Sequence, residues 1–168
     1  MLVKPVRVIA PTLIGISCIS DAICLDDLSR SQEASTLYAE AQHFVSVKVS
    51  PLNAPPKVIF CSTDSCADSF GLGGRSAVTA GGFGTVIGPR AWKSHYLRHE
   101  MIHVVQAEQL GVLALIFKPQ WFVEGMAYTL SEDPRVTLAE PFETDRSMFR
   151  NWLQSIDRRD VWKIAAAL

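Results

Sequence analysis

The most constraining feature of this 168-residue chain is a pair of histidines four residues apart, with a glutamate directly after the first. They form the segment His99-Glu100-Met101-Ile102-His103. Residues four apart lie one above the other on an α-helix, so both imidazoles can reach a single ion if this segment is helical. Glu100 is then turned by about 100° from His99, and its carboxylate can approach a water beside the ion without binding the ion. The pattern predicts a helix with a metal site on one face.

Glycine and proline residues on either side of the motif predict where its helix begins and ends. Gly88-Pro89 precedes the motif and Gly111 follows it, so the helix is expected over residues 91–110. A second helix is expected over residues 120–131, because Pro119 suits the start of a helix.

Glu124 stands in an apolar turn of this second helix, where a carboxylate is costly unless it is paired or binds a metal. It follows His103 by 21 residues, which allows the first helix to end and an antiparallel helix to return to the metal. A catalytic zinc site needs three protein ligands and an open position. We therefore predict that His99, His103 and Glu124 bind the metal, while the small Gly125 and Ala127 let the two helices pack closely. The alternative is a first-turn glutamate stabilised by the helix dipole.

The segment His99-Glu100-x-x-His103, followed by Trp121-Phe122-x-Glu124-Gly125-x-Ala127, resembles the gluzincin class of zinc metallopeptidases, the broad thermolysin-like group. The resemblance covers residues 91–131. It implies a zincin-like α+β fold in which His99, His103 and Glu124 bind Zn²⁺. It also implies that Glu100 is the general base that takes a proton from the zinc-bound water, and that the substrate is a peptide or a protein.

Two further residues are candidates for stabilising the transition state, Tyr128 and His95. The alternatives are a core tyrosine and a surface histidine. His95 lies about 12 Å of helix rise from His103 and is not expected to bind the same ion. Tyr128 occupies the position where many thermolysin-like enzymes have an aspartate that supports the first histidine. Glu132 or Asp133 could take that role only if the helix end folds back.

The pattern of apolar and turn residues in the rest of the chain predicts a small twisted sheet within residues 45–88. This sheet is expected to pack on the helix at 91–110 and to be followed by a mostly helical part. Helices are expected over 26–43, 143–155 and 158–167, and strands over 44–49, 57–61, 77–79 and 85–87. Glycines between residues 71 and 88 indicate an edge strand that an extended peptide could approach, with flexible loops as the alternative.

The N-terminal residues resemble a targeting segment. Lys4 and Arg7 precede the mostly apolar run Val8–Ile19, and Ser20-Asp21-Ala22 supplies a possible cleavage site. We expect residues 1–22 to be a signal peptide or a membrane anchor, and 23–168 to be one metallopeptidase domain outside the cytoplasm. The alternative is a buried first strand or helix.

The four cysteines help to predict whether the protein is exported or cytosolic. Cys61 and Cys66 are separated by a polar connector and are predicted to form a disulfide if the protein is exported, or to be free thiols if it is cytosolic. Cys18 and Cys24 lie in the leader or at its edge and are left unassigned.

The charge of the chain narrows the choice of partners. With 16 basic and 17 acidic residues, the chain lacks the basic excess of a nucleic-acid-binding protein.

Three alternatives to a peptidase remain: a zinc-binding interaction module without activity, a zinc hydrolase of a non-peptide substrate, and a structural protein with a coincidental motif. The intact Glu100 counts against the first, because a structural zinc site needs no base.

Overall fold

The computed structural model describes residues 5–168, and Lys4 of the predicted leader lies outside this range. The described chain is an α+β protein with a mixed five-stranded sheet. The strands are β1 Ser17–Cys18, β2 Ile23–Leu25, β3 Val58–Phe60, β4 Ala77–Thr79 and β5 Thr85–Ile87. The α-helices are α1 Pro5–Ile9, α2 Ser31–Lys48, α3 Asp64–Phe70, α4 Ser94–Leu110, α5 Val112–Leu115, α6 Gln120–Leu130, α7 Phe142–Gln154 and α8 Val161–Ala166. Among residues 5–168, no helix combines the length and apolarity that crossing a membrane requires.

The sheet has the strand order β1-β2-β3-β5-β4. Its three central strands are parallel, with Cys24 opposite Ile59 and Ile59 opposite Val86. The two outer strands run antiparallel to their neighbours. β4 is last in the strand order and therefore forms one edge of the sheet.

Alternate residues of the central strands point into two separate cores. Leu25, Phe60 and Ile87 face a core shared with α2, α4 and α6. Cys24, Ile59 and Val86 face a second core that contains residues of the N-terminal segment and of α3. Because both faces are covered, these strands are apolar at every position except Thr85, as parallel strands usually are.

The predicted strands at 57–61, 77–79 and 85–87 are confirmed, but the predicted strand at 44–49 is wrong. That segment belongs to the end of α2. The helix buries Ala34, Tyr38, Ala41 and Val45, which are spaced three or four residues apart along one face. Burying this stripe outweighs the short alternating pattern around Val45.

The sheet also begins earlier in the chain than the predicted range of 45–88. β1 and β2 lie within and just after the predicted leader, and β2 is fully buried between β1 and β3. Cys18 and Cys24 form a disulfide that joins these two strands. The predicted cleavage point after Ala22 lies between the two cysteines.

The five predicted helices agree with the structure to within a few residues, except at the ends of α2, whereas α1, α3 and α5 were not predicted as helices. α2 begins at Ser31 rather than near Asp26. The reason is local: the Asp27 carboxylate accepts a hydrogen bond from the Ser29 amide and caps a separate 3₁₀ turn, Leu28–Arg30.

Candidate metal centre

The two histidines of the motif lie on α4, one turn apart on the face that meets α6. α4 begins after Gly88-Pro89 and ends at Gly111, whose φ of 88° suits glycine. Glu124 lies on α6 and faces the same space from the opposite side. The structure therefore brings together the three residues predicted as ligands, His99, His103 and Glu124.

The potential ligand atoms of these three residues form a small triangle. The Nε2 atoms of His99 and His103 are 3.2 Å apart. The Glu124 carboxylate oxygens are 3.5 Å from Nε2 of His99 and 3.7 Å from Nε2 of His103. Bond lengths near 2.0–2.1 Å and tetrahedral angles would separate such ligand atoms by about 3.3 Å. This partly buried His-His-Glu group has the donor set and the spacing to bind a metal ion.

Gln106 fixes the orientation of His103 and was not predicted from the sequence. Its Oε1 lies 2.8 Å from Nδ1 of His103, and its Nε2 donates to the Val123 carbonyl at 2.9 Å. An amide oxygen only accepts, so Nδ1 of His103 carries the proton and Nε2 of the neutral ring presents a lone pair. Gln106 is fully buried and thereby links α4 to the helix that carries Glu124.

Glu100 is buried beside the triangle, but it is not part of it. The Thr79 hydroxyl on β4 lies 2.7 Å from its Oε2 and donates to it, while Thr85 lies 2.9 Å from the same hydroxyl. Burial raises the pKa of the Glu100 carboxyl, although His103 and the hydrogen bond from Thr79 oppose this effect. A buried carboxyl whose pKa is raised suits a group that accepts a proton and later returns it.

Burial alone would also raise the pKa of Glu124, but its hydrogen bond with His99 and the proximity of His103 hold the pKa below its usual value. Glu124 is therefore ionised, as a metal ligand must be. The two glutamates occupy neighbouring positions and differ in the direction of their pKa shifts. That difference is the one that a metal ligand and a neighbouring proton acceptor would need.

A cleft of about 610 Å³ contains these groups and changes character along its length. β4 and the turn after it form one wall, and α4 and α6 form the other. The end beyond His99 is polar, with His95, Asp133 and Arg135. The end beyond His103 is apolar, with Val112 and Ile116.

The structure places Tyr128 and His95 in this cleft, at different distances from the three potential metal ligands. The Tyr128 ring contacts His99 edge-on, with ring centroids 4.4 Å apart. Burial and the nearby Glu124 charge raise the pKa of Tyr128 to about 12, so the phenol remains a hydrogen-bond donor at neutral pH. His95 instead contacts Tyr96, and burial lowers its pKa.

Asp133 pairs with Arg135 and is not hydrogen-bonded to a metal-site histidine. Glu132 lies near Arg98. The histidine support found among the described residues is Gln106 on the motif helix itself. Because residues three apart are neighbours on a helix, the sequence offered a signal for it, three positions after His103.

The closest approach at Gly125 is to α7 rather than to α4, so the predicted packing partner of this glycine is wrong. A Cβ atom on Gly125 would lie 2.2 Å from the Asp145 carbonyl oxygen and 2.8 Å from Cβ of Phe149. The glycine therefore lets α7 press against the outer side of α6 and hold Glu124 towards α4.

Comparisons of the chain with profiles of known protein families, with curated proteins and with solved structures find no match.

Proposed function

We propose that this protein is a zinc-dependent peptidase with a zincin-like fold, related to the gluzincin class. Zn²⁺ is bound by His99, His103 and Glu124, and Glu100 is the general base. The observation that carries the proposal is the convergence of three ligand atoms within 4.8 Å, with a separate buried carboxylate in the same cleft.

The donor set favours zinc over other common metals. Two imidazole nitrogens and one carboxylate oxygen suit Zn²⁺, whereas Mg²⁺ and Ca²⁺ prefer oxygen ligands alone. Three protein ligands leave a position open to the cleft, as in catalytic rather than structural zinc sites. Bound there, the ion would polarise a substrate carbonyl and lower the pKa of water in the site.

Glu100 would carry the proton transfers of peptide hydrolysis. Its carboxylate accepts the proton of the attacking water and later returns it to the leaving amine nitrogen. The hydrogen bond from Thr79 holds one carboxylate oxygen in place and leaves the other for this transfer. Tyr128 lies beside His99 with its phenol protonated, and it would donate to the oxyanion that forms at the substrate carbonyl.

The cleft wall formed by β4 supports a peptide substrate over other hydrolysable compounds. β4 is an edge strand that pairs with β5 on one side. An extended peptide could add to its other edge through backbone hydrogen bonds and lie across the metal ligands. His95 lines the polar end of the same cleft, where it would contact substrate residues away from the scissile bond.

We also propose that the protein works outside the cytoplasm. Both disulfides, Cys18–Cys24 and the predicted Cys61–Cys66, are compatible with such a location, because disulfides persist mainly in oxidising compartments.

The test is cleavage of a diverse quenched-fluorescence peptide library by zinc-loaded protein. Glu100→Gln removes the base but none of the ligands, and Glu108→Gln is a matched control on the same helix. We expect wild type and Glu108→Gln to cleave, and Glu100→Gln to bind one zinc per chain without cleaving. If wild-type protein binds zinc but cleaves no peptide, the peptidase assignment is wrong. A zinc-binding module or a hydrolase of another substrate would then replace it.

A further inference from the structure

Arg135 lies at the polar end of the cleft, and only one side of its guanidinium group is occupied by a protein partner. Asp133 accepts hydrogen bonds from Nε and Nη2 of Arg135, and from its backbone amide at 2.9 Å. A guanidinium group has five N–H donors. Within residues 5–168, Nη1 of Arg135 makes no hydrogen bond to another protein group. The donors of Nη1 and one donor of Nη2 therefore remain for a ligand.

The same local pairing occurs a second time in the chain, and the comparison shows what is particular about Arg135. Asp157 accepts hydrogen bonds from Nε, Nη2 and the backbone amide of Arg159, again two residues further on. There both side chains are exposed, 45% for Asp157 and 89% for Arg159. At the cleft, the side chain of Asp133 is only 2% exposed, whereas that of Arg135 is 42% exposed. In this pair the carboxylate is covered and the cation faces outward.

Two tyrosines and a buried arginine hold Arg135 in position. Its guanidinium carbon lies 5.5 Å from the ring centre of Tyr96 and 5.6 Å from that of Tyr128, which are distances of a cation–π contact. Arg146 on α7 is almost fully buried. It donates from Nη1 to the Arg135 carbonyl at 3.0 Å and from Nη2 to the Val136 carbonyl at 2.9 Å. The loop that carries Arg135 is therefore held in place from α7.

The exposed charge at this end of the cleft is positive. The charged side chains of the cleft lining are Arg75, Arg135, Asp133 and the two glutamates of the candidate metal centre. Asp133 is covered by its own pair, and Glu132 does not line the cleft. Burial lowers the pKa of His95, so this neighbour adds no charge at neutral pH. The polar end therefore favours an anionic group over a cationic one.

Arg135 also lies close to the potential metal ligands. The Tyr128 ring centre is 4.4 Å from that of His99 and 5.6 Å from the guanidinium carbon of Arg135. The guanidinium group therefore lies within about 10 Å of the His99 ring, a distance that about three residues of an extended peptide span. A substrate group bound by Arg135 would belong to a residue near the bond that is cleaved.

We propose that Arg135 determines specificity by binding a carboxylate of the peptide substrate at the polar end of the cleft. Nη1 and the remaining donor of Nη2 bind the two carboxylate oxygens, while Asp133 holds the other side of the guanidinium group. This inference rests on the proposed peptidase function, because it concerns the substrate of the same cleft. The carboxylate belongs either to an acidic side chain or to the C-terminus of the peptide.

The test is binding of fluorescein-labelled hexapeptides to zinc-loaded Glu100→Gln protein, measured by fluorescence anisotropy. This variant is expected to bind zinc without cleaving, so binding is measured without turnover. The peptides share uncharged residues and differ in having glutamate or glutamine at each position in turn, and a free or an amidated C-terminus. We expect one carboxylate to tighten binding by at least about tenfold. Loss of this gain on amidation identifies the C-terminus, and loss on replacement by glutamine identifies an acidic side chain.

Variants of the two arginines assign the effect. In the Glu100→Gln background, Arg135→Met should abolish the carboxylate preference. Arg159→Met is the matched control and should retain it, because it removes the same kind of pairing outside the cleft. Since Arg135→Met leaves the covered Asp133 carboxylate unpaired, the double variant Asp133→Asn with Arg135→Gln is measured as well. It keeps hydrogen-bonding side chains at both positions and should lose the preference equally.

Cleavage of the same peptides by wild-type protein separates this inference from the peptidase assignment. Binding that depends on the carboxylate and on Arg135, without cleavage of any peptide, would support the inference and contradict the peptidase function. Cleavage without a carboxylate preference would overturn the inference and leave the peptidase function intact. The inference is also wrong if Arg135→Met keeps the preference, or if none of the peptides binds.

Discussion

Gln106 shows how one uncharged residue can orient a potential metal ligand. Its Oε1 accepts a hydrogen bond from Nδ1–H of His103, and its Nε2 donates one to the Val123 carbonyl. A single side chain therefore sets the ring orientation and joins two helices. Residues that orient metal-binding histidines commonly affect metal affinity as much as geometry. Their effect is measurable without any assay of activity.

We predict that Gln106→Met weakens zinc binding by about tenfold or more, because methionine keeps the volume but cannot accept the Nδ1 proton. The measurement is competition for zinc with a chromophoric chelator. Gln109→Met on the exposed face of the same helix is the control and should bind zinc as wild type does. Equal affinities for the two variants would show that Gln106 does not position His103.

Thr79 plays the corresponding part for Glu100. Thr79→Val removes the donor to the carboxylate and should lower kcat by about tenfold, because hydrogen bonds to charged groups contribute about 1.5–3 kcal/mol. Thr79→Ser retains the hydroxyl and should keep most of the activity. Zinc content should be the same in all three proteins, since Thr79 does not bind the metal. A serine variant as slow as the valine variant would point to packing instead of the hydroxyl.

At the scale of elements, the candidate metal site depends on how α6 packs against α7, on the side of α6 that faces away from the site. α7 packs against α6 at Gly125, where no Cβ atom fits, and α6 carries Glu124. The distance between α6 and α4 is therefore set partly by a contact on the side of α6 that faces away from the metal.

Gly125→Ala should destabilise the protein by about 3 kcal/mol, because its methyl group would overlap the Asp145 carbonyl and force the helices apart. Gly74→Ala is the matched control, since no atom lies within 4 Å of its Cβ position. It should remain within about 1 kcal/mol of wild type. Urea unfolding with a chelator present measures both without a contribution from zinc. Similar stabilities for both variants would contradict the tight α6–α7 contact.

The elements also show which parts of the fold a sequence can reveal. The helices around the metal site were predictable because proline, glycine and a strong motif mark them. The strand predicted at 44–49 was wrong because its alternation is short, whereas the buried stripe from Ala34 to Val45 is long. β2 was missed because Ile23–Leu25 adjoins an apolar leader, and its burial depends on the distant strand β3.

The residues of the site likewise fall into those that the sequence predicts and those that only the folded structure reveals. His99, His103 and Glu124 were found because their spacing satisfies a metal, and the structure brings them together. Thr79 lies 21 residues before Glu100, so its role depends on how β4 crosses α4 and no local pattern indicates it. Which helix Gly125 contacts also follows from tertiary packing alone.

At the scale of the whole molecule, a metal held by α4 and α6 would join two parts of the fold and stabilise both. Free zinc at one hundred times its dissociation constant should raise the free energy of unfolding by about 2.7 kcal/mol. Glu124→Gln should lose most of this gain, while Glu108→Gln keeps it. Thermal unfolding with zinc and with chelator measures the difference. No response of the wild-type protein to zinc would show that the site does not bind it.

The Cys18–Cys24 bond determines what a cut after Ala22 would produce. The bond joins the two sides of that cut, so the severed N-terminal piece would remain as a short light chain attached to the rest of the molecule. Mass spectrometry of the oxidised protein would then find the uncut mass plus one water molecule, and reduction would release two polypeptides. The N-terminal piece would leave only where the surroundings are reducing enough to break the bond.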